Sequence, residues 1–241
     1  FNDANQTVSL GNPALLPQNA KNWDASIEYY FEPSGSFSVG WFHKSISDFI
    51  VGAQETGVVD AGAENGFEGL YEGYKILQSV NAGTAVAQGF EFAYQQQFRF
   101  LPGLLKTLRL SANFSVTNSH GDFGTTGAYR GNGEIAGFIP RTGNLAVSWD
   151  YKKFGVSMSY NYTSLNIRSY NGTAPSRNQY LAPRDLINLN LRYQLPRNLT
   201  LNFGVANLFN EPQAFYRGFK SRSQRTLYNF VTVTAGVNGR F

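Results

Sequence analysis

INLNLRYQLPRNLTLNFGV, residues 187–205, alternates without a slip. Ile187, Leu189, Leu191, Tyr193 and Leu195 fall on one side, and Asn188, Asn190, Arg192 and Gln194 on the other. After Pro196, Arg197 and Asn198 the rhythm resumes in Leu199, Leu201, Phe203 and Val205. A period of two belongs to a strand whose successive side chains point to opposite faces, and a short Pro/Asn break between two such runs reads as a hairpin turn. The stretch predicts an antiparallel hairpin with one apolar and one polar side. What the apolar side touches, a second sheet or lipid, decides the fold.

The same alternation recurs on either side of this hairpin. Upstream lie Trp23, Ala25, Ile27, Tyr29 and Phe31, then Phe37, Val39 and Trp41, then Phe90, Phe92, Tyr94, Phe98 and Phe100, a row broken only by Gln96. Next come Leu108, Leu110, Ala112, Phe114 and Val116, then Leu145, Val147, Trp149 and Tyr151, then Val156, Met158, Tyr160 and Tyr162. The closing FVTVTAGVNGRF, 230–241, sets Val231, Val233, Ala235, Val237 and Phe241 on one face. These runs make nine strands, and no window of similar length has a helical period. The chain is all-β and antiparallel.

The connections separate the two environments. Tight joints at 33–35, 101–106, 152–153 and 196–198 alternate with long ones at about 53–85, 119–139, 165–182 and 209–226. Hairpins tight at one end and extended at the other describe an outer-membrane barrel with short periplasmic turns and long external loops. A Greek-key sandwich has no reason to sort loop length in this way. Most runs also have the ~9–11 residues that cross a bilayer at a tilt. Aromatic residues gather near the strand ends, where interface girdles place them.

Composition agrees. Charged residues are 15% of the chain, against about 25% in soluble domains, while Tyr, Phe and Trp reach 15%. The net charge of +4 is spread along the chain, so no nucleic-acid footprint is present. With no cysteine and only His43 and His120 as imidazoles, the chain offers no thiolate or structural zinc site, and no cofactor is expected. No run approaches the ~20 apolar residues of a membrane helix, so any crossing is by strands. The opening FNDANQTVSL has neither the basic nor the apolar region of a signal peptide.

NLFNEP at 207–212 resembles a segment of TonB-dependent outer-membrane receptors, as do AQGFEFAYQQQF at 87–98, IPRTGNLAVSWDY at 139–151 and APRDLINLNLRYQL at 182–195. The resemblance implies a transmembrane antiparallel β-barrel of about 22 strands with a plugged lumen, of which residues 1–241 supply nine C-terminal strands, with the plug domain absent. Residues 1–21 read as the remnant of an external loop. It further implies residence in the bacterial outer membrane and TonB-energised uptake of a scarce large solute: a ferric siderophore, cobalamin or an oligosaccharide. The implied partners are outer-membrane lipid, the plug and remaining strands from upstream sequence or another chain, the TonB complex acting through the plug, and the barrel-assembly machinery. Phe241 would be the aromatic residue that this machinery reads.

The polar rows, with Glu28, Glu91, Arg99, Arg109, Asn113, Asp150, Asn188, Asn190, Arg192, Asn202 and Asn238, would face the bore. Candidate ligand contacts lie in the loops: Tyr129, Arg130 and Glu134; Arg168 and Tyr170; Phe215, Tyr216 and Arg217, with Lys220 nearby. Aromatic faces stack on rings, and guanidinium groups grip carboxylates or phosphates in a fork. There is no G-x-S-x-G elbow, H-E-x-x-H helix or phosphate loop, so no catalytic residue is assigned. A passive porin and a barrel hydrolase are the alternatives.

Overall fold

A computed structural model describes residues 1–81, 83–122, 132–171 and 174–239. Nine long strands follow one another: β1 (Asn19–Phe31), β2 (Gly35–Ser47), β3 (Thr84–Gln97), β4 (Arg109–Asp122), β5 (Arg141–Tyr151), β6 (Phe154–Thr163), β7 (Arg184–Gln194), β8 (Leu199–Ala206) and β9 (Thr232–Gly239). Each pairs antiparallel with the next, so the sheet is a simple meander with β1 at one edge and β9 at the other. These two edges are not paired with each other among the described residues.

Register joins the separate apolar rows into one surface. Tyr29 lies opposite Phe37, Phe37 opposite Tyr94, Tyr94 opposite Ala112, Ala112 opposite Leu145, Leu145 opposite Tyr160, and Tyr160 opposite Ile187. Leu191, Phe203 and Ala235 continue the same face to the last strand. Directly opposed residues point to the same side of a sheet, so the whole apolar set lies on one face. The other face carries rows such as Glu28, Ser38, Ala93, Asn113, Asn144 and Asn161.

Among the described residues, no element covers the apolar face as a whole. Trp23 is 68% exposed, Ile27 77% and Val237 61%. The buried apolar side chains among the described residues are Val8, Val51, Val59, Ala85, Ala87, Ile135, Ile167 and Phe215, none of which belongs to the apolar rows. A dry sandwich interior is therefore not the destination of these rows. Soluble monomers rarely expose a contiguous apolar patch above a few hundred Å², and this surface runs across nine strands.

At the short-turn end, aromatic rings form a belt on the apolar face. Phe31 stacks with Tyr29 (5.9 Å between centroids) and with Tyr94 (6.2 Å), Trp149 with Tyr151 (5.9 Å), and Phe154 meets Tyr193 at 4.7 Å. Gln96, the one polar intruder in its row, is 5% exposed, and its Nε2 donates to the Gln97 carbonyl at 2.8 Å and to the Ser34 carbonyl in the β1–β2 turn at 3.5 Å. It serves as a backbone clip.

At the other end the long connections are themselves folded. Ile50–Val58 and Lys75–Asn81 pair antiparallel beyond β2 and β3, with Thr7–Ser9 added in parallel to Lys75–Leu77. Asn81 ties the chain entry to this hairpin: its Oδ1 accepts from Leu16 N at 2.8 Å, and its Nδ2 donates to the carbonyls of Leu16 (2.9 Å) and Asp48 (2.8 Å). The wall strand begins at Asn19, so residues 19–21 lie within β1 rather than in the preceding loop. A second outer sheet takes the order Asn166–Ser169, Gln179–Leu181, Gln213–Arg217, Ser223–Leu227, which repeats the neighbour order of β6, β7, β8 and β9.

Candidate functional site

The polar face is furnished with small residues, which leave shallow concavities between the longer polar ones. One, of about 330 Å³, holds Asp150, Ser157, Asn190, Arg192, Asn202 and Thr234. A second, of about 470 Å³, holds Glu28 and Glu91 among Ser26, Ser38, Gly40 and Ser115. Asn144 Nδ2 donates to Asn113 Oδ1 at 2.7 Å, and Asn188 Nδ2 to Ser159 Oγ at 3.2 Å, linking neighbouring strands by side chains as well as backbone.

Asp150 is the centre of the charged cluster. Its Oδ2 accepts from Arg109 Nη2 on β4, and its Oδ1 from Arg192 Nη2 on β7 at 2.7 Å. Asp150 and Arg192 stand on either side of β6, about two strand spacings or roughly 10 Å apart in backbone terms. They meet because the intervening residue is Gly155: a Cβ there would lie 2.6 Å from Asp150 Oδ1 and 3.2 Å from Arg192 Nε. Gly204 leaves a similar gap on β8, where a Cβ would sit 2.7 Å from Thr234 Oγ1 and 3.0 Å from Asn190 Oδ1. The cluster holds two cations and one anion, which leaves guanidinium donors free for an incoming carboxylate or phosphate.

The loop candidates divide. Tyr129, Arg130 and Phe241 lie outside the described residues. Glu134 is exposed, and its backbone carbonyl accepts from Tyr170 Oη at 2.6 Å, so these two candidates are in contact through a backbone group. Beside them Ile135 is 5% exposed and clusters with Val51 and Ala85, its N–H donates to Ser119 Oγ at 3.4 Å, and Gly137 N donates to the Ile167 carbonyl at 2.8 Å. Residues 133–138 thus form a strap laid over the outer end of the polar face, clipped to β4 and to the second outer sheet. Sequence gave no periodic signal for it.

In the second outer sheet Tyr216 stacks on Tyr180 (5.3 Å, 15°), and burial, with the Tyr180 ring next in effect, raises its phenol above the ordinary tyrosine value. Phe215 is only 7% exposed and lies beneath the Arg225 guanidinium at 4.7 Å. Arg168 and Arg217 are exposed. Tyr216, Arg217 and Phe215 are consecutive on one strand, so alternation sends Phe215 and Arg217 to one face and Tyr216 to the other. His43 lies on the apolar face with Nδ1 3.0 Å from Gln88 Oε1. No cluster of metal-ligating side chains occurs among the described residues.

NLFNEP is a structural joint. Asn207 and Asn210 adopt φ of 55° and 53°, a region that Asn tolerates best after Gly. Asn207 is buried: its Oδ1 accepts from Glu211 N (2.7 Å), its Nδ2 donates to the Phe230 carbonyl (3.3 Å), and its own N–H donates to Asn188 Oδ1 (2.9 Å). Asn207 therefore closes the outer end of β8, through its backbone N–H against β7 and through its side chain against the approach to β9.

An exposed apolar face of register-matched strands, a polar face opposite, short turns at one end and folded loops at the other make up a large antiparallel sheet of partial-barrel type. Residues 1–208 match the family model described as "TonB dependent receptor-like, beta-barrel", and the chain belongs to that family. Among solved structures it is similar to the FrpB iron transporter of Neisseria meningitidis (14% identity, 98% of this chain and 33% of that one, TM-score 0.64). It is also similar to a mutant ferric enterobactin receptor of Pseudomonas aeruginosa in complex with enterobactin (18%, 95% and 32%, 0.62). A third likeness is to the siderophore receptor PirA of Acinetobacter baumannii (19%, 85% and 29%, 0.60). These proteins are named as transporters and receptors, not enzymes, and this chain spans about a third of their length. No curated relative matches in sequence.

Proposed function

We propose that this chain forms nine C-terminal wall strands of an outer-membrane TonB-dependent receptor, in which the apolar face meets lipid and the polar face lines the bore. The continuous apolar surface, with exposed large apolar side chains on every wall strand but β5, whose row is half-buried, carries this reading: water is a poor solvent for it and acyl chains a good one. The two unpaired edges point the same way, since backbone donors and acceptors in a hydrocarbon layer need partners. Further strands and a plug, from the same polypeptide or another, complete the receptor, and the TonB complex acts through that plug.

The solute is large and scarce. Ferric siderophores come first for testing because the named relatives include siderophore receptors, with cobalamin and oligosaccharides next. Tyr129, Arg130, Glu134, Arg168, Tyr170, Tyr216 and Arg217 are the proposed contacts, with Phe215 behind them beneath Arg225, and Phe241 is the proposed assembly signal. Calorimetry on the complete receptor tests the loop assignment: replacing Tyr129 and Arg130 with alanine weakens solute binding while insertion, read by heat-modifiable mobility, stays at the parent level. Unchanged affinity rejects those two positions.

A further inference from the structure

The short-turn end is predominantly cationic. Arg99 and Lys106 lie in the β3–β4 connection, Lys152 and Lys153 between β5 and β6, and Arg197 between β7 and β8; all are exposed. In the turn residues 32–34, 98–108, 152–153 and 195–198 the one acid is Glu32. None of these cations takes part in the salt bridges among the described residues, which are Lys75 with Glu55 and the two at Asp150. Consecutive hairpin turns lie about 10 Å apart, and Gln194 N donates to the Lys153 carbonyl at 2.8 Å, which keeps the last two turns side by side.

Apolar surface adjoins these cations. Gly103–Thr107 is a 3-10 turn whose Leu104 and Leu105 are half exposed, and the Trp149 indole N–H donates to the Leu104 carbonyl at 2.8 Å, holding the turn against the outer face. Two leucines followed by Lys106 fit a membrane interface, with the side chains in the acyl boundary and the ammonium at headgroup level. Beyond β6 the outer face has an apolar groove of about 580 Å³, lined by Phe154, Val156, Leu201, Phe203, Ala235 and Val237. Its lining includes Ala235, which stands opposite Phe203, and Phe154, which directly follows Lys153.

We propose that this rim is a binding site for an anionic glycerophospholipid of the leaflet that meets the short turns. An acyl chain occupies the groove, and the phosphate sits among Lys152, Lys153 and Arg197. The choice of lipid follows from charge complementarity together with an apolar slot continuous with the cationic turns. The inference rests on the membrane-wall reading above.

Native mass spectrometry of the complete protein, delipidated in detergent and titrated with phosphatidylglycerol or phosphatidylcholine of identical chains, tests it. Phosphatidylglycerol binds more tightly, by about five-fold for each engaged cation. Lys152→Asn with Lys153→Gln lowers that ratio at least five-fold; asparagine suits the φ of 52° at Lys152, so the turn is kept. Ala235→Phe, which fills the groove, weakens both lipids, and Lys220→Gln, in an outer loop, changes neither. Equal affinity for the two lipids in a protein that inserts into vesicles, or a ratio untouched by the double substitution, overturns the lipid site alone. Failure to insert into vesicles of either lipid overturns the membrane reading and the site with it.

Discussion

Gly155→Ala tests whether the gap in β6 is what joins Asp150 to Arg192. The added Cβ would stand 2.6 Å from Asp150 Oδ1 and 3.2–3.3 Å from two nitrogens of Arg192, so the carboxylate must swing away and the 2.7 Å bridge opens. The side chains are 31% and 49% exposed, which limits the pair to about 0.5–1 kcal/mol. The same substitution restricts the unfolded backbone, a gain of about 0.4–1 kcal/mol. These two effects nearly cancel, so the stability of the single variant is uninformative. The coupling energy is the right observable. A double-mutant cycle with Asp150→Asn and Arg192→Gln, read by urea unfolding of the refolded protein at low salt, gives about 0.5–1 kcal/mol in the parent and near zero in the Gly155→Ala background. The Asp150–Arg109 coupling survives, because the new methyl group has no Arg109 atom among its three nearest contacts. An Asp150–Arg192 coupling of parental size in the alanine background refutes the reasoning.

Three further outcomes are expected. Asn207→Ala loses the backbone caps and forces alanine into positive φ, lowering stability by about 2–4 kcal/mol, whereas Asn207→Gly, relieved of the strain, loses about 1–2 kcal/mol; urea midpoints of equal shift would contradict the claim that conformation adds to capping. Ile135→Ala releases the strap at a cost of about 2–3 kcal/mol, seen as faster amide exchange over 133–138 with the exchange of β5 to β8 unchanged. Tyr216 ionises above the usual tyrosine value of about 10, burial being the main cause. Its neutral form is favoured in the folded state, so this contribution is complete below pH ~10 and is lost as pH climbs through the raised folded value. Absorbance titration at alkaline pH follows it, and Tyr180→Phe moves the transition down.

The wall was legible in residues 187–205 and their echoes because a two-residue period needs no tertiary information. One-sided burial writes it directly into the chain, and all four tight joints fall between the strands so read. The outer sheets were not legible. Ile50–Val58 carries Gly52 and Gly57 and two register shifts, so its rhythm is broken where it pairs. Gln179–Leu181 and Thr7–Ser9 have three residues each, too few to show a period. The Asp150 cluster was half legible: Asp150, Arg109 and Arg192 stood in polar rows, but their meeting depends on register and on Gly155, which carries no chemical signal of its own. Phe215 read as a loop aromatic because a buried position on an inner strand of a four-stranded outer sheet is set by pairing with Leu181 and Arg225, not by local sequence. Gln96, which spoiled its row on paper, was the turn clip.

Gly155 also bears on how the wall yields to force. Because Asp150 and Arg192 meet over it, β5 is fastened to β7 independently of the ladders between them. Pulling the sheet from its β9 end with a probe tip should therefore release β5, β6 and β7 as one block larger than a hairpin, and filling the Gly155 notch should return this region to peeling two strands at a time.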